Sequence, residues 1–589
     1  VDIQLRSVNL VSGDRVDLVS GVNVIVGPNN SGKSMLLSEL WELINREPFG
    51  YRPKTTVVES YEMAYGPTVD SFVKHISEVH LARPAGHYNG NTYSETNYLI
   101  AGGGVITHSD LSRIWNSQDG IGQVATSAYC LFLGAGGRLA MSNDSQMFNL
   151  RTDHPTLPAQ RMYSDRTIER TVSEATERAF GFPLSVNRYS GSEITLHVGN
   201  VSSPETMPPS EEYLRELFEL PLLRDQGDGV RAFIGMLLPI VTSQYPLVII
   251  DEPEAFLHPP QAYLFGKLLS EQRNNGTQII IATHSEDIIK GVASVGSSEN
   301  ISISRITRAN RGNSVSQIDT SALRQLFTDP LLKFYPVLGG LFSQGTILCE
   351  SDSDCTYYRA ILDSQPDVEG VKSAARKNVH FSYGNGLSRM ARMADVLIAA
   401  GVPAAVIVDI DFLRDDADFS RLVTVMGGTP EHFKTHRNVI SSVVSGWGSK
   451  VNRIAARART AAAFDSSADK FLSNSEIKEI QESVSPVSGW RRLKADGVQI
   501  LSGNSISSFR VIDQGLRELG IFVVPCGELE RFHKDVPSRN KAEWLRVVIE
   551  TERFKSSTEA RLLIDSVIDY IAEPRSRSSA GTRGRKRED

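Results

Sequence analysis

The stretch Gly27-Pro28-Asn29-Asn30-Ser31-Gly32-Lys33-Ser34 constrains this chain more than any other. It follows an apolar run, Val22 to Val26, and precedes a helical pattern from Met35 to Ile44. Strand, glycine loop and helix in that order make a G-x4-G-K-[ST] match a P-loop. The glycines let backbone N–H groups close on a phosphate with no Cβ in the way. Asn29, Asn30 and Gly32 belong to that cradle. Lys33 can reach the β/γ oxygens of a nucleoside triphosphate, and Ser34 can hold Mg²⁺. The helix N-terminus adds partial positive charge where the phosphates sit.

The chain has 589 residues, which at roughly 100–200 residues per domain predicts several domains. A net charge of −7 argues against a protein coated in nucleic acid over its whole surface, though it leaves room for a local basic groove. Cys130, Cys349, Cys355 and Cys526 are scattered without metal or disulfide spacing. A reducing cytoplasm is the default compartment. No apolar run approaches the ~18 residues of a membrane span, and the N-terminus has no secretory pattern, so no membrane partner is expected.

The patterning predicts an α/β chain. Residues 1–26 read as strands leading into the P-loop. From about Gly50 to Asn149 the periodicity weakens and Gly, Ser, Asn and Tyr rise, which predicts a β-rich insertion. A helix at Ser164 to Phe180 and strands near Leu184 to Val198 follow, so 51–200 reads as an insertion or elaborated lobe in a first domain spanning 1–320. Two fully apolar runs, Leu247–Ile250 and Ile279–Ala282, suit central strands of a covered, largely parallel sheet. A linker at 321–344 leads to a second α/β domain, 345–429 and 501–560. Its strands end in carboxylates, at Glu350 and at Asp409-Ile410-Asp411. Residues 430–500 read as a helical insertion rich in cations, among them Lys450, Arg453, Arg457, Arg459 and Lys494. The tail, 574–589, is basic and flexible in composition.

Asp251, after four apolar residues, fits a Walker B acid acting on Mg²⁺, Glu252 the base that polarises an attacking water, and His284 a γ-phosphate sensor. In this order after a P-loop they resemble the ABC-type ATPases of the structural-maintenance, Rad50 and RecF kind. That resemblance implies ATP as ligand and a dimer sharing the nucleotide. The place matching the family's serine-glycine-glycine signature reads Gln226-Gly227-Asp228-Gly229, so Gly227 and Asp228 are candidate nucleotide contacts without the serine. Gln160 is the candidate for the family's Q-loop glutamine. The family's aspartate after the catalytic glutamate is replaced by Phe256-Leu257-His258-Pro259, so slow turnover or use of ATP as a switch is expected.

Strands that end side by side place their carboxylates in one crevice, and acids held that close call for a divalent cation between them. Glu350, Asp354, Asp409 and Asp411 form such a set, with hard oxygen ligands suited to Mg²⁺ or Mn²⁺. The set resembles a TOPRIM domain, the metal-binding fold of topoisomerases, primases and certain nucleases, with Ser351 where those proteins often carry glycine. Nucleases of this type also recruit a later acid and a lysine. Glu528, as a further ligand, and Glu530 fit the acid; Lys541 or Lys534 fits the lysine, with Lys541 preferred.

An ABC-type ATPase followed by a TOPRIM domain resembles the OLD family (overcoming lysogenization defect), which includes the nuclease subunit of Gabija-type anti-phage systems. The resemblance implies an ATP-regulated, metal-dependent endonuclease acting on DNA in bacterial defence. It also implies a homodimer or larger assembly, with an accessory defence protein or nucleic acid as partner. Two alternatives stay open: a RecF-like ATP-dependent binding or sensor protein that does not cut, and a ribonuclease acting on RNA such as tRNA.

Overall fold

The apolar runs become buried strands of two separate parallel sheets. The computed structural model describes residues 3–46, 53–65, 69–70, 73–74, 81–83, 85–88, 91–100, 104–117, 129–149, 155, 157–243, 245–271, 276–295, 300–309, 312–318, 337–366, 375–447, 451–467, 469–485, 488–536 and 540–573. Most of the expected linker and the whole of the tail lie outside the described residues. The chain divides into two units, Val1–Pro330 and Leu331–Asp589.

The principal elements of the N-terminal unit are β1 (Ile3–Leu10), β2 (Arg15–Asp17), β3 (Val22–Val26), α1 (Lys33–Arg46), β4 (Val58–Tyr65), β5 (Cys130–Leu133), α2 (Asp228–Val241), β6 (Leu247–Asp251), α3 (Pro259–Glu271), β7 (Gln278–Ala282), α4 (Glu286–Ala293), β8 (Ile301–Ala309) and β9 (Gly312–Ile318). The central sheet runs β5-β6-β7-β3-β8-β9, parallel except for the final β8–β9 pair. β3 and β7 are buried at every position, and β6 until Asp251. Each buried Val, Ile or Leu contributes roughly 1.5–3 kcal/mol relative to exposure, so the strands that carry the loops are firmly anchored. A second, antiparallel layer, β2-β1-β4, packs on this sheet through Leu5, Val8, Leu10 and Val58. Gln278 joins the layers: its carboxamide accepts from Leu5 N–H at 2.8 Å and donates to Leu5 O at 2.8 Å.

The segment 51–200 is part core and part elaboration. Small strands occur between 81 and 107, and short helices at 108–117, 135–140 and 158–164 interrupt the stretch. The helix Arg166–Phe180 and the strands Leu184–Asn187 and Glu193–Val198 lie where the periodicity puts them. Two pieces belong to the nucleotide-binding core rather than to an added lobe: β4 pairs with β1, and β5 is the edge of the central sheet. Short strands such as the four residues of β5 leave too little periodicity to separate core from elaboration.

The C-terminal unit contains β10 (Gly345–Cys349), α5 (Asp352–Asp363), β11 (Val379–Tyr383), α6 (Leu387–Ala399), β12 (Ala404–Val408), α7 (Gly489–Asp496), α8 (Asn504–Glu518), β13 (Ile521–Val523), α9 (Lys541–Glu550) and α10 (Thr558–Ala572). Its sheet is parallel throughout, in the order β11-β10-β12-β13. α5, α9 and α10 cover one face through Tyr357, Ile361, Trp544, Val548, Ile564 and Val567. From β10 the chain steps outward to β11, then returns past β10 to β12. The order therefore reverses between β10 and β12, which opens a crevice at the carboxyl ends of those two strands.

The cation-rich block holds helices at 431–446, 453–464 and 474–484 as well as α7. The first is tied into the unit: buried Arg437 donates to Leu413 O at 2.9 Å and lies over the Phe419 ring, 4.0 Å from its centroid.

Candidate functional site

In the N-terminal unit the loop after β3 turns through left-handed backbone at Asn30 and Gly32 (φ 60° and 94°) before α1 begins at Lys33. Lys33 is buried. Its ammonium donates to Gly27 O at 2.8 Å and Pro28 O at 2.9 Å. Burial pulls Lys33 down to about 8, against the opposing pull of Glu252, Glu254 and Asp251. The Ser34 hydroxyl donates to Asp251 Oδ1 at 3.0 Å. The structure thus brings together the two oxygen groups expected to share Mg²⁺. Their hydroxyl and carboxylate chemistry fits a hard divalent cation at the nucleotide. Burial raises the Asp251 carboxyl, and the Ser34 hydrogen bond opposes that rise.

Glu252 holds a positive φ of 49°, rare for a residue with a Cβ and characteristic of functional sites. Its carboxylate lies 3.9 Å from His284 Nε2. Burial first, then Lys33, lowers His284 below the ordinary histidine value.

Two residues without a part in the sequence-based expectation hold this constellation. Arg138, buried in the 135–140 helix, donates to Glu252 O at 2.7 Å and Asp251 O at 3.0 Å. Glu254 accepts from Thr283 Oγ1 at 2.8 Å and His284 N–H at 2.6 Å, fixing the turn after β7. Glu254 had a local signal as the third carboxylate of Asp251-Glu252-Pro253-Glu254; Arg138 had none.

The other candidate nucleotide contacts lie on the elements around this constellation. Gln160 accepts from Leu157 N–H at 3.1 Å and donates to Gln146 O at 3.0 Å, so its carboxamide braces a helix start. Gly227 is the N-cap of α2, and Asp228, in its first turn, lies 3.6 Å from Arg231.

In the C-terminal unit Glu350 follows β10 and Asp409 follows β12, on either side of the crevice. Glu350 Oε1 accepts the Asp409 N–H at 3.1 Å. The turn Gly384-Asn385-Gly386 supports Glu350 from behind, with Asn385 N–H on Glu350 O at 3.0 Å. Burial raises the Glu350 carboxyl. Burial and the neighbouring Glu350 charge hold Asp409 well above the usual carboxylate range. Asp411 lies two residues on. Lys494, from α7, bridges the pair: its Nζ is 2.9 Å from Asp409 Oδ2 and 3.1 and 3.0 Å from the Asp411 oxygens. Burial works against this ammonium, but the two aspartates outweigh it and raise Lys494 above its ordinary value.

Asp354, expected as a metal ligand, is held by protein partners in this structure. Its Oδ2 accepts from Ser351 N–H and Oγ, both at 2.8 Å, closing a capping box on α5; its Oδ1 pairs with Lys541 Nζ at 2.7 Å. Both oxygens have protein partners, and Ser351 supplies the hydroxyl and N–H of the capping box. Of the two candidate lysines, Lys541 stands at the acids and Lys534 is exposed. Glu530 joins the same field; burial raises its carboxyl while Lys541 opposes. Glu528 accepts from Arg531 at 3.1 Å.

Among the described residues no three His, Cys, Asp or Glu side chains stand ready as a metal cage. The donor chemistry at the crevice nevertheless suits a divalent cation. Glu350, Asp409 and Asp411 offer hard oxygens, and their charges are unbalanced without Lys494.

Residues 212–289 match the family model described as "AAA domain, putative AbiEii toxin, Type IV TA system". That span holds α2, Asp251, Glu252 and His284. The N-terminal unit carries an ATPase domain. The endonuclease GajA of Bacillus cereus (strain HuB5-5) is 27% identical over 195 residues, covering 30% of this chain and 27% of that relative, so the chain matches well under half of its length. Among solved structures, the SMC head bound to the C-winged helix domain of ScpA has 12% identity and a TM-score of 0.33, covering 54% of this chain and 97% of that one. The SMC head domain from Thermotoga maritima has 14% identity and a TM-score of 0.28, covering 54% and 99%. Among the described residues no helix is long and apolar enough to cross a membrane.

Proposed function

We propose that this chain is an ATP-regulated, divalent-metal-dependent endonuclease of the OLD type, its C-terminal unit a TOPRIM domain that cuts DNA in bacterial anti-phage defence. The observation that carries the reading is the convergence of Glu350 and Asp409 at the switch point of a parallel sheet, with Asp411, Lys494 and Lys541 around them. The partial similarity to an endonuclease supports the same chemistry. Glu350, Asp409 and Asp411 would hold Mg²⁺ or Mn²⁺, which when bound supplies Lewis-acid stabilisation of a phosphoryl oxygen and a more acidic water. Lys541, oriented by Asp354, supplies positive charge for the phosphate as its negative charge grows. Glu530 adds a carboxylate able to accept a proton.

In the ATPase domain Lys33 leaves the carbonyls of Gly27 and Pro28 for the nucleotide phosphates. Glu252 orients water, with His284 beside it, and Arg138 fixes the backbone that aims both acids. The protein works as a homodimer or larger assembly in the cytoplasm, with nucleic acid and an accessory defence protein as partners.

The test is an incubation of the full chain with plasmid DNA, single-stranded DNA and total RNA in Mg²⁺ or Mn²⁺, with and without ATP, against Asp409→Ala. DNA cutting by the wild type alone supports the reading. Cutting confined to RNA moves the substrate. No cutting of any substrate across metals and nucleotides favours an ATP-dependent sensor instead.

A further inference from the structure

Lys494 is not a surface lysine resting on the nearest acid. Its helix is seated by close backbone contacts at both ends. A Cβ on Gly489 would stand 1.6 Å from Val444 O, and a Cβ on Gly527 would stand 2.1 Å from Lys494 O. Both positions therefore require glycine for the approach. The Gly527 carbonyl in turn accepts the Ile410 N–H at 3.0 Å. The Lys494 backbone, the turn at Gly527 and the Asp409–Asp411 segment form one contiguous stack. Leu493, next to Lys494, is fully buried and anchors the helix from below.

The result is an ammonium held against three carboxylate oxygens of Asp409 and Asp411 at 2.9 to 3.1 Å. Lys541 differs in kind. Its ion pair is with Asp354, which a capping box holds, and it acts on Asp409 only through the field, whereas Lys494 touches both Asp409 and Asp411 directly. A cation held by both Asp409 and Asp411 meets Lys494 on both Asp411 oxygens and on Asp409 Oδ2. Two positive charges held that close repel each other, so the metal and the ammonium compete for these oxygens.

We propose that Lys494 is a tethered counter-cation that competes with the divalent metal for Asp409 and Asp411, so that metal enters only as the ammonium leaves. This rests on the metal-dependent reading of the crevice. A lysine can withdraw in this way without disturbing the helix that bears it, because its charge sits on a flexible four-carbon stem. The crevice thereby keeps its acids neutralised and folded before metal arrives, and metal affinity in the resting protein is set below what the same acids alone would give.

The experiment is Mn²⁺ binding to the full chain, read by calorimetry and by the electron paramagnetic resonance of free Mn²⁺, for wild type, Lys494→Gln and Lys494→Arg. Lys494→Gln is expected to bind Mn²⁺ roughly tenfold or more tightly than wild type, the effect of removing charge-assisted bonds from both acids. Lys494→Arg, which keeps the charge, is expected to stay near wild type. In the wild-type protein, acylation of Lys494 followed by mass spectrometry should rise as Mn²⁺ saturates. Equal or weaker binding by Lys494→Gln, or Lys494 labelling unmoved by Mn²⁺, overturns the proposal while leaving the metal site intact. Absence of Mn²⁺ binding in every variant overturns both.

Discussion

The nucleotide loop and the acidic crevice are both built at the carboxyl ends of parallel strands, and both keep a lysine waiting, but on opposite kinds of partner. Lys33 rests on two neutral carbonyls, Gly27 O and Pro28 O, in a place where burial lowers its proton affinity. Lys494 rests on two aspartates that raise its proton affinity. A phosphate has only to offer Lys33 a better acceptor than a carbonyl. On the proposed reading, a metal at the crevice would have to displace a charge that is already paired. The difference teaches that a site's readiness for its ligand depends on what its own charged groups do beforehand.

The largest break in this comparison should come from Asp409→Ala. It removes a crevice acid and should lower metal-dependent cleavage by several kcal/mol, roughly a thousandfold or more, while nucleotide binding by the other unit stays at the wild-type level. A cleavage assay paired with a fluorescent-nucleotide titration checks both halves. Next in size is Lys33→Ala, which should weaken nucleotide binding roughly a hundredfold and leave Mn²⁺ binding at the crevice unchanged; the change in cutting with ATP present then gives the sign of coupling.

Arg138→Met sharpens the first site. It keeps volume but removes the donors to Asp251 O and Glu252 O. ATP hydrolysis should fall about tenfold or more with nucleotide affinity nearly kept, and stability should drop by about 1–3 kcal/mol for the orphaned carbonyls. Phosphate release and a denaturant melt report these separately.

The smallest effect is a pH dependence. Lys33 in the free protein titrates near 8, below the ordinary 10.5. Below that pH it is already charged for phosphate. Above it the amine must take up a proton on binding, so nucleotide affinity should fall by up to about tenfold per pH unit. An affinity that stays flat from pH 7 to about 9.5 would show that Lys33 keeps its charge.

Legibility in the sequence followed chain distance. The strands β3, β6, β7, β10 and β12 could be read because each is a largely unbroken apolar run, and the group that ends each run sits at a sheet edge by construction. Asp251, Glu252, His284, Glu350 and Asp409 share that property. Lys494 reaches Asp411 from 83 residues away, and Arg138 reaches Asp251 O from 113. No local pattern marks such pairs, since only the strand order brings them together. Among many cations between 430 and 500, nothing in spacing separated Lys494 from its exposed neighbours. The core role of β4 and β5 was hidden for the same reason: pairing with β1 and β6 is long-range.

The most direct test is the anomalous scattering of crystals grown from the full chain with Mn²⁺. The account predicts a manganese peak among the carboxylates of Glu350, Asp409 and Asp411, with the Lys494 ammonium withdrawn from the two aspartates. A peak only elsewhere, or none, with Lys494 still bridging Asp409 and Asp411 at saturating Mn²⁺, would contradict it.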